Sequence, residues 1–362
     1  MEQWRLIDLN YTDPYTAQTF YEAVAEAVHR NESPNTLILL QPDRPYACIG
    51  YHQDLEKELD MKYLKTEGLP AIRRSQGGGA TYLDKDQVFY QIIFKNTNTI
   101  PRDINTMFEK LLQVTAETYR KLGVPATYKP LNDVVVNGRK ISGNGAGQHE
   151  SATILVGNII QDLNYEKMAN VLRVPNEKFR DKMKHSMQEW VTTLKRELGE
   201  FPPAEYIKSI YAQIFQELLG IKLTISTPTV TELKIFTNET KPRHKSKEWL
   251  YMDAQQRDPQ KGRTVKIAHG VKLVEIDFKA GKLLRIRAEM DDNKINNIQI
   301  RGDYFIIPKE AINTLEQNLK GIELMETSLE EKVYNFFKSG VEISGFTSED
   351  LITALMKIKD HI

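Results

Sequence analysis

Three consecutive glycines, Gly77 to Gly79, lie in the decapeptide Arg-Arg-Ser-Gln-Gly-Gly-Gly-Ala-Thr-Tyr at residues 73–82, and they constrain this chain more than any other feature. Each glycine loses more backbone entropy on folding than alanine would, so the run suits neither a helix interior nor a strand interior. What it offers is main chain that can approach a ligand closely, with N–H groups unshielded by side chains. Arg73 and Arg74 stand just before it, where a guanidinium can fork two hydrogen bonds onto a carboxylate or phosphate. The pattern fits a pocket for an anionic or adenylated small molecule. A glycine-rich turn behind a solvated basic pair fits the same residues.

A second segment, 132–147, reads Asn-Asp-Val-Val-Val-Asn-Gly-Arg-Lys-Ile-Ser-Gly-Asn-Gly-Ala-Gly. Val134 to Val136 is a β-branched run, and Asn137-Gly138 is the strongest two-residue hairpin signal. Arg139, Lys140 and Ile141 begin the returning strand, which is expected to enter a loop with glycines at 143, 145 and 147. A lysine held there can meet phosphate as a point charge. An ordinary surface strand lysine would look the same.

The two motifs in this order, supported by Ile49-Gly50-Tyr51-His52-Gln53 and by 171–200 through Trp190, resemble the catalytic domain of lipoate–protein ligases. The wider group contains biotin ligases and octanoyltransferases. Ile300-Arg301-Gly302-Asp303-Tyr304-Phe305 and the residues after it resemble the small accessory domain of the bacterial-type ligases, so the likeness covers nearly the whole chain. The resemblance implies an α+β fold: mixed, largely antiparallel sheets flanked by helices, with a small α/β accessory domain. It implies an ATP-dependent enzyme that activates lipoate or octanoate as acyl-AMP, with Mg2+, and transfers it to a lysine of a lipoyl-domain or H-protein-like acceptor.

On the same resemblance, Lys140 is the catalytic residue. Arg73, Arg74, Gln76, Gly77, Gly78, Gly79, Ala80, Tyr82, Asn132, Asp133, Ser142, Gly143 and Gly157 bind substrate or adenylate. Asp133 is open between binding adenosine or magnesium and capping a hairpin. Three positions depart from the family pattern. Gln76 stands where Ser or Thr is usual, Leu83-Asp84 where His-Asp is common, and Val156-Gly157-Asn158 where His-Gly-Thr is usual. They point to a divergent subgroup with a different acyl pocket.

The chemistry suits these residues. Hydroxide is too poor a leaving group for a carboxylic acid to acylate an amine directly, so activation must come first. Bringing the carboxylate to the α-phosphorus joins two anions, and Lys140 is the cation expected to compensate them. Two alternatives remain. An ATP-independent acyltransferase of the same fold would need a nucleophilic cysteine, and the chain has one, Cys48, among apolar neighbours. A non-catalytic lipoyl-domain binding module would keep the fold without the chemistry.

Composition narrows the class. Lys plus Arg and Asp plus Glu both total 49, which gives no general electrostatic case for nucleic acid. One cysteine allows neither an internal disulfide nor a cysteine metal site. No apolar run reaches membrane-spanning length, and the amino terminus lacks a signal-peptide core, so the expected location is the cytoplasm. At 362 residues more than one core is expected. The boundaries read as a catalytic domain over 1–223, a linker over 224–263 that includes the basic run 241–247, and an accessory domain over 264–362. Asp13-Pro14 is a helix start, residues 103–122 an amphipathic helix, and Leu284, Ile286, Ala288 and Met290 a period-two strand. Ser328 with Glu331, and Thr347 with Asp350, read as capping boxes.

Overall fold

The computed structural model describes residues 1–174, 177–252, 265–268 and 271–361. The chain divides into two compact units: Met1–Ile49, Leu55–Arg74 and Ala80–Leu250 form the first, and Gly50–Asp54, Ser75–Gly79 and Tyr251–Ile362 the second.

In the first unit, strands β1 (Glu2–Thr12), β2 (Thr36–Pro42), β3 (Tyr46–Ile49), β4 (Ala71–Arg73), β5 (Thr81–Leu83), β6 (Gln87–Phe94), β7 (Thr127–Lys129), β8 (Asp133–Val136), β9 (Arg139–His149), β10 (Ala152–Ile160) and β11 (Ile221–Ser226) build two sheets. The larger has the order β11-β1-β2-β6-β10-β9-β8-β7, and the smaller is β4-β3-β5. In the larger sheet β1 runs parallel to β2 and β11, and the other pairings are antiparallel. Every residue of β2 and β6 is buried, which is why both read as nearly continuous apolar runs. Side chains alternate across the sheet. Ile38, Leu40, Ile93 and Ile154 join the core cluster that holds Phe20 and Val24 of the helix Pro14–His29. Tyr90 instead stacks on Tyr211 of the helix Ala204–Leu219. Helices therefore cover both faces, and the architecture is the mixed α/β one expected.

Local signals account for the helix ends. The Asp13 carboxylate accepts from the backbone of Tyr15 and Thr16, with Pro14 in the first turn. Asp103 caps the helix Ile104–Lys121 through the N–H of Thr106.

The second unit has a four-stranded antiparallel sheet of β12 (Val265–Ala268), β13 (Val271–Lys279), β14 (Leu283–Asp291) and β15 (Lys294–Gly302). A ribbon of β16 (Phe305–Ile307) and β17 (Glu342–Ser344) is separate. Leu284, Ile286, Ala288 and Met290 are fully buried against the helices Ala311–Asn318, Glu326–Lys338 and Ser348–Met356. The Thr347–Asp350 capping box is present. Ser328 is not a cap: it lies inside the helix, which begins two residues earlier, at Glu326.

The expected linker needs correcting. Residues 253–263 of it lie outside the described residues, but 224–226 belong to β11 and the chain is helical over most of 230–251. Glu232, fully buried, makes a capping box with Thr229 and an ion pair with Arg5. The basic run is anchored as well. Arg243 and His244 both engage the buried Glu22, and Lys241 pairs with Asp13 at 3.3 Å. Composition suggested solvation; carboxylates more than two hundred residues away supply the partners. The glycines at 143, 145 and 147 lie in no loop either. They belong to β9, because β10 pairs with it from Asn144 to His149.

Candidate active site

The Asn137-Gly138 signal produces a tight turn with positive φ at both residues, 48° and 80°. It returns β9 onto β8 with a bulge between Val134 and Val135, so Asp133 faces Gly143 and Val135 faces Lys140. The extra residue brings Lys140 Nζ to 2.6 Å from Asp133 Oδ1. Both side chains are about a third exposed, at 37% and 27%. A Cβ on Gly143 would lie 3.6 Å from Lys140 Cε, so the glycine keeps the surface beside the lysine low. On its other side β9 is tied down where Thr192 N–H donates to the Lys140 carbonyl at 2.8 Å.

Beneath this pair lies a buried polar network that sequence reading missed. Gly143 N–H donates to Asn158 Oδ1 (2.8 Å) and Ser142 Oγ to the Asn158 carbonyl (2.7 Å). Asn132 and Asn144 exchange amide-to-carbonyl bonds of 2.5 and 3.0 Å. The Tyr90 hydroxyl donates to Asn144 Oδ1 and accepts from Thr115 Oγ1 at 2.8 Å. Burial pushes the Tyr90 phenol up to about 12, so it stays a donor. Gly157 belongs here for a packing reason. A Cβ on it would fall on Asn144 Oδ1 and on the ring and hydroxyl of Tyr90, well inside contact distance. The available signal was polar residues at strand positions that alternation assigns to the core.

Of the residues expected at a site, Lys140, Asn132, Asp133, Ser142, Gly143 and Gly157 are thus brought together. Tyr82, buried on β5, meets this group where its carbonyl accepts from Gln87 Nε2 at 3.4 Å, the Gln87 oxygen accepting in turn from Asn158 at 2.8 Å. Ala80 is partly exposed at the start of the same segment.

The arginines have other engagements in the structure. Arg73 is 1% exposed, and its guanidinium donates to the carbonyls of Trp249 and Leu250 at 3.0–3.1 Å. Its own carbonyl accepts from His244 Nδ1 (2.9 Å) and Trp249 Nε1 (3.0 Å). A fork that served carboxylate recognition on paper here fastens chain 176–177 residues away. Arg73→Lys should therefore lower thermal stability, because an ammonium cannot reproduce the fork and leaves a buried carbonyl short of a donor. The expected loss is about 1–3 kcal/mol in a denaturant titration. An unchanged midpoint would show that the engagement contributes nothing. Arg74 lies 3.6 Å from Cys48 through Nη1.

Gln76 and the glycine triplet belong to the second unit. A Cβ on Gly77 would fall on the Tyr304 carbonyl oxygen, and Gly78 N–H approaches the same oxygen at 3.4 Å. Tyr304 also stacks on His52 at 4.7 Å, and Gln53 Nε2 donates to Asp303 Oδ1 at 2.8 Å. The close approach that glycine permits is realised at Gly77 against protein backbone. Gly79 is exposed.

The profile of the lipoyl protein ligase A/B catalytic domain matches residues 13–216. The chain belongs to that family. The profile of the bacterial lipoate protein ligase C-terminus matches residues 274–355. A relative named octanoyltransferase LipM, from Geobacillus kaustophilus, is 25% identical over 273 residues, covering 69% of this chain and 98% of its own length. A solved bi-partite lipoate protein ligase from Thermoplasma acidophilum, described together with its E2 lipoyl domain, is 26% identical with a TM-score of 0.61, covering 69% of this chain and 97% of that one. LipL1 of P. falciparum, solved in complex with lipoate, shares 16% identity and the fold, with a TM-score of 0.69 over 98% of this chain and 99% of its own. The fold and family expected from the two motifs are therefore those of the chain. No described helix is long and apolar enough to cross a membrane.

Proposed function

We propose that this family member activates a lipoyl or octanoyl group with ATP as acyl-AMP and transfers it to a lysine of a lipoyl-domain or H-protein-like acceptor. The carrying observation is Lys140, about a third exposed at the bulge of a hairpin and already facing a carboxylate at 2.6 Å. A cation held by strand backbone on both sides has little freedom to lose when it meets a phosphate, which is the condition for electrostatic preorganisation. In the first step the acyl carboxylate attacks the α-phosphorus and pyrophosphate leaves. Lys140 offsets the charge that this step concentrates. In the second, the neutral amine of the acceptor attacks the acyl carbon, AMP leaves, and the amine gives up a proton. The lysine stays with the phosphate throughout.

Magnesium keeps several waters and takes only one or two carboxylates alongside phosphate oxygens. Asp133, partly exposed beside Lys140, fits that demand, although the described residues contain no cluster of three ligating side chains. Asp133 would hold the ion, which would supply positive charge to the phosphates.

A second reading, ATP-independent octanoyl transfer, is favoured by the names of the curated relatives more than the first is. Two observations support the first against it. Those relatives are matched over nearly their full length by 69% of this chain, while residues 274–355 match a ligase C-terminus. Cys48, the only cysteine of the chain, is fully buried in the central strand of β4-β3-β5. Burial pushes its thiol up, and Arg74 only partly opposes that. Thiolate is the nucleophilic form, so this cysteine is poorly placed for a thioester relay.

Cys48→Ala should accordingly retain most of the acyl transfer to a lipoyl domain and lose a little stability through a small cavity. Wild type should release pyrophosphate from ATP when octanoate or lipoate is added. Transfer from an octanoyl thioester without ATP, abolished by Cys48→Ala, would establish the second reading in its place.

A further inference from the structure

Where the pairing of β9 with β10 ends, a tyrosine hydroxyl takes over from the ladder. The antiparallel register runs from Ala152 facing His149 to Gly157 facing Asn144 and stops there. Three residues further in that register Ile160 would face Ile141, but by then β9 is paired with β8 and β10 with β6. The Tyr119 hydroxyl, from the helix Ile104–Lys121, stands in place of the missing rung. It donates to the Ile141 carbonyl at 2.6 Å and accepts from the Ile160 N–H at 2.9 Å. Both directions are fixed, because a carbonyl can only accept and a backbone N–H can only donate. Burial holds the Tyr119 phenol well above its ordinary range, so the hydroxyl keeps the proton it donates.

Ile141 is also the residue that makes the bulge. Val134 faces Ser142 and Val135 faces Lys140, so Ile141 has no residue opposite it on β8. The extra residue of a bulge is left out of the ladder, and a buried carbonyl left out of the ladder needs a partner elsewhere. Ile141 and Tyr119 are both fully buried, and Tyr119 is that partner.

We infer that Tyr119 is a positioning residue for Lys140: its hydroxyl, bonded to both strands, pins the bulge at Ile141 and with it the face of β9 on which Lys140 meets Asp133. The inference rests on the reading that this hairpin carries the chemistry. Successive strand side chains point to opposite faces, so a bulge that moves by one position turns the lysine over. Without the hydroxyl two courses are open, and each moves the lysine. Ile160 N–H can close directly on the Ile141 carbonyl, drawing β9 toward β10 and flattening the bulge. Otherwise both groups stay apart, buried and unpaired, and the bulge is free to shift. The bonds from Ser142 and Gly143 to Asn158 bridge the same parting of strands, but they hold the far side of the bulge from Lys140.

The test measures octanoyl transfer to an isolated lipoyl domain, from octanoate with ATP and separately from an octanoyl thioester, at a temperature where each variant is folded by circular dichroism. Tyr119→Phe keeps the ring and removes the hydroxyl. It should lower kcat about tenfold, the equivalent of one hydrogen bond, with KM for the acyl substrate unchanged. Added to Lys140→Ala, the same substitution should lower the rate no further, because the group it positions is gone. A tyrosine that only supports the fold would lower the rate equally in both backgrounds. Should Tyr119→Phe not fold, p-aminophenylalanine at position 119 takes its place. Its amine donates to Ile141 and accepts poorly from Ile160, so kcat should fall by a smaller factor with the same dependence on Lys140. Wild-type kcat in the folded variant, or an equal loss in the Lys140→Ala background, would overturn the inference alone. A Lys140→Ala protein with the wild-type rate, or a wild type that acylates no lysine from either donor, would overturn the parent reading and the inference together.

Discussion

Lys140→Ala is expected to lower acyl transfer on the order of 100- to 1000-fold, the usual cost of removing one well-aimed electrostatic donor. The fold should hardly register the change. The side chain is about a third exposed and pairs with a partly exposed Asp133, and partly exposed pairs contribute little to stability. The strand is held there by main chain, through the Thr192 bond to the Lys140 carbonyl and the ladder to β8, which alanine preserves. Rate and melting temperature must therefore separate. Lys140→Arg gives a second arm: it keeps the charge but exchanges a compact ammonium for a broad fork, and should recover only part of the rate. A Lys140→Ala protein with wild-type pyrophosphate release and acceptor labelling, and an unchanged melt, would remove the lysine from the mechanism.

Gly157→Ala is expected to be the most damaging single-methyl change in the first unit. The new Cβ would occupy space held by Asn144 Oδ1 and Tyr90. Neither can step aside cheaply, since Tyr90 is fully buried, stacks on Tyr211 at 4.5 Å and accepts from Thr115. Overpacking of this kind costs about 1–3 kcal/mol or more, and each kcal/mol lowers Tm by roughly 2–4 °C in a domain of this size. A fall of roughly 2–12 °C in Tm follows. Activity should drop beyond that loss, because Asn144 also holds Asn132, the residue before Asp133. A variant melting within a degree of wild type would show that the network yields, and would return Gly157 to a role at the substrate.

The amino-acid sequence alone determined what depends on neighbours a few positions apart. Asp13-Pro14 starts a helix because a carboxylate can cap the next N–H groups and proline has no N–H to lose. Asn137-Gly138 reverses the chain because both residues tolerate positive φ. Leu284, Ile286, Ala288 and Met290 are buried in alternation because a strand turns every second side chain inward. The lysine of the hairpin and the family were legible for the same reason: the motifs are short and local. Tertiary structure decided the rest. Arg73 had two forked donors in the sequence, and only the fold, bringing Leu250 beside it, settled where they are used. The glycine triplet signalled close approach without saying to what, and the Tyr304 backbone is the answer at Gly77. Asn144, Asn158 and Gln87 looked like polar interruptions in strands until β6, β9 and β10 were laid side by side. A lone sequence fixes a side chain's donors and acceptors, whereas their partners are chosen by which strands pair, and that is a property of the whole chain's packing.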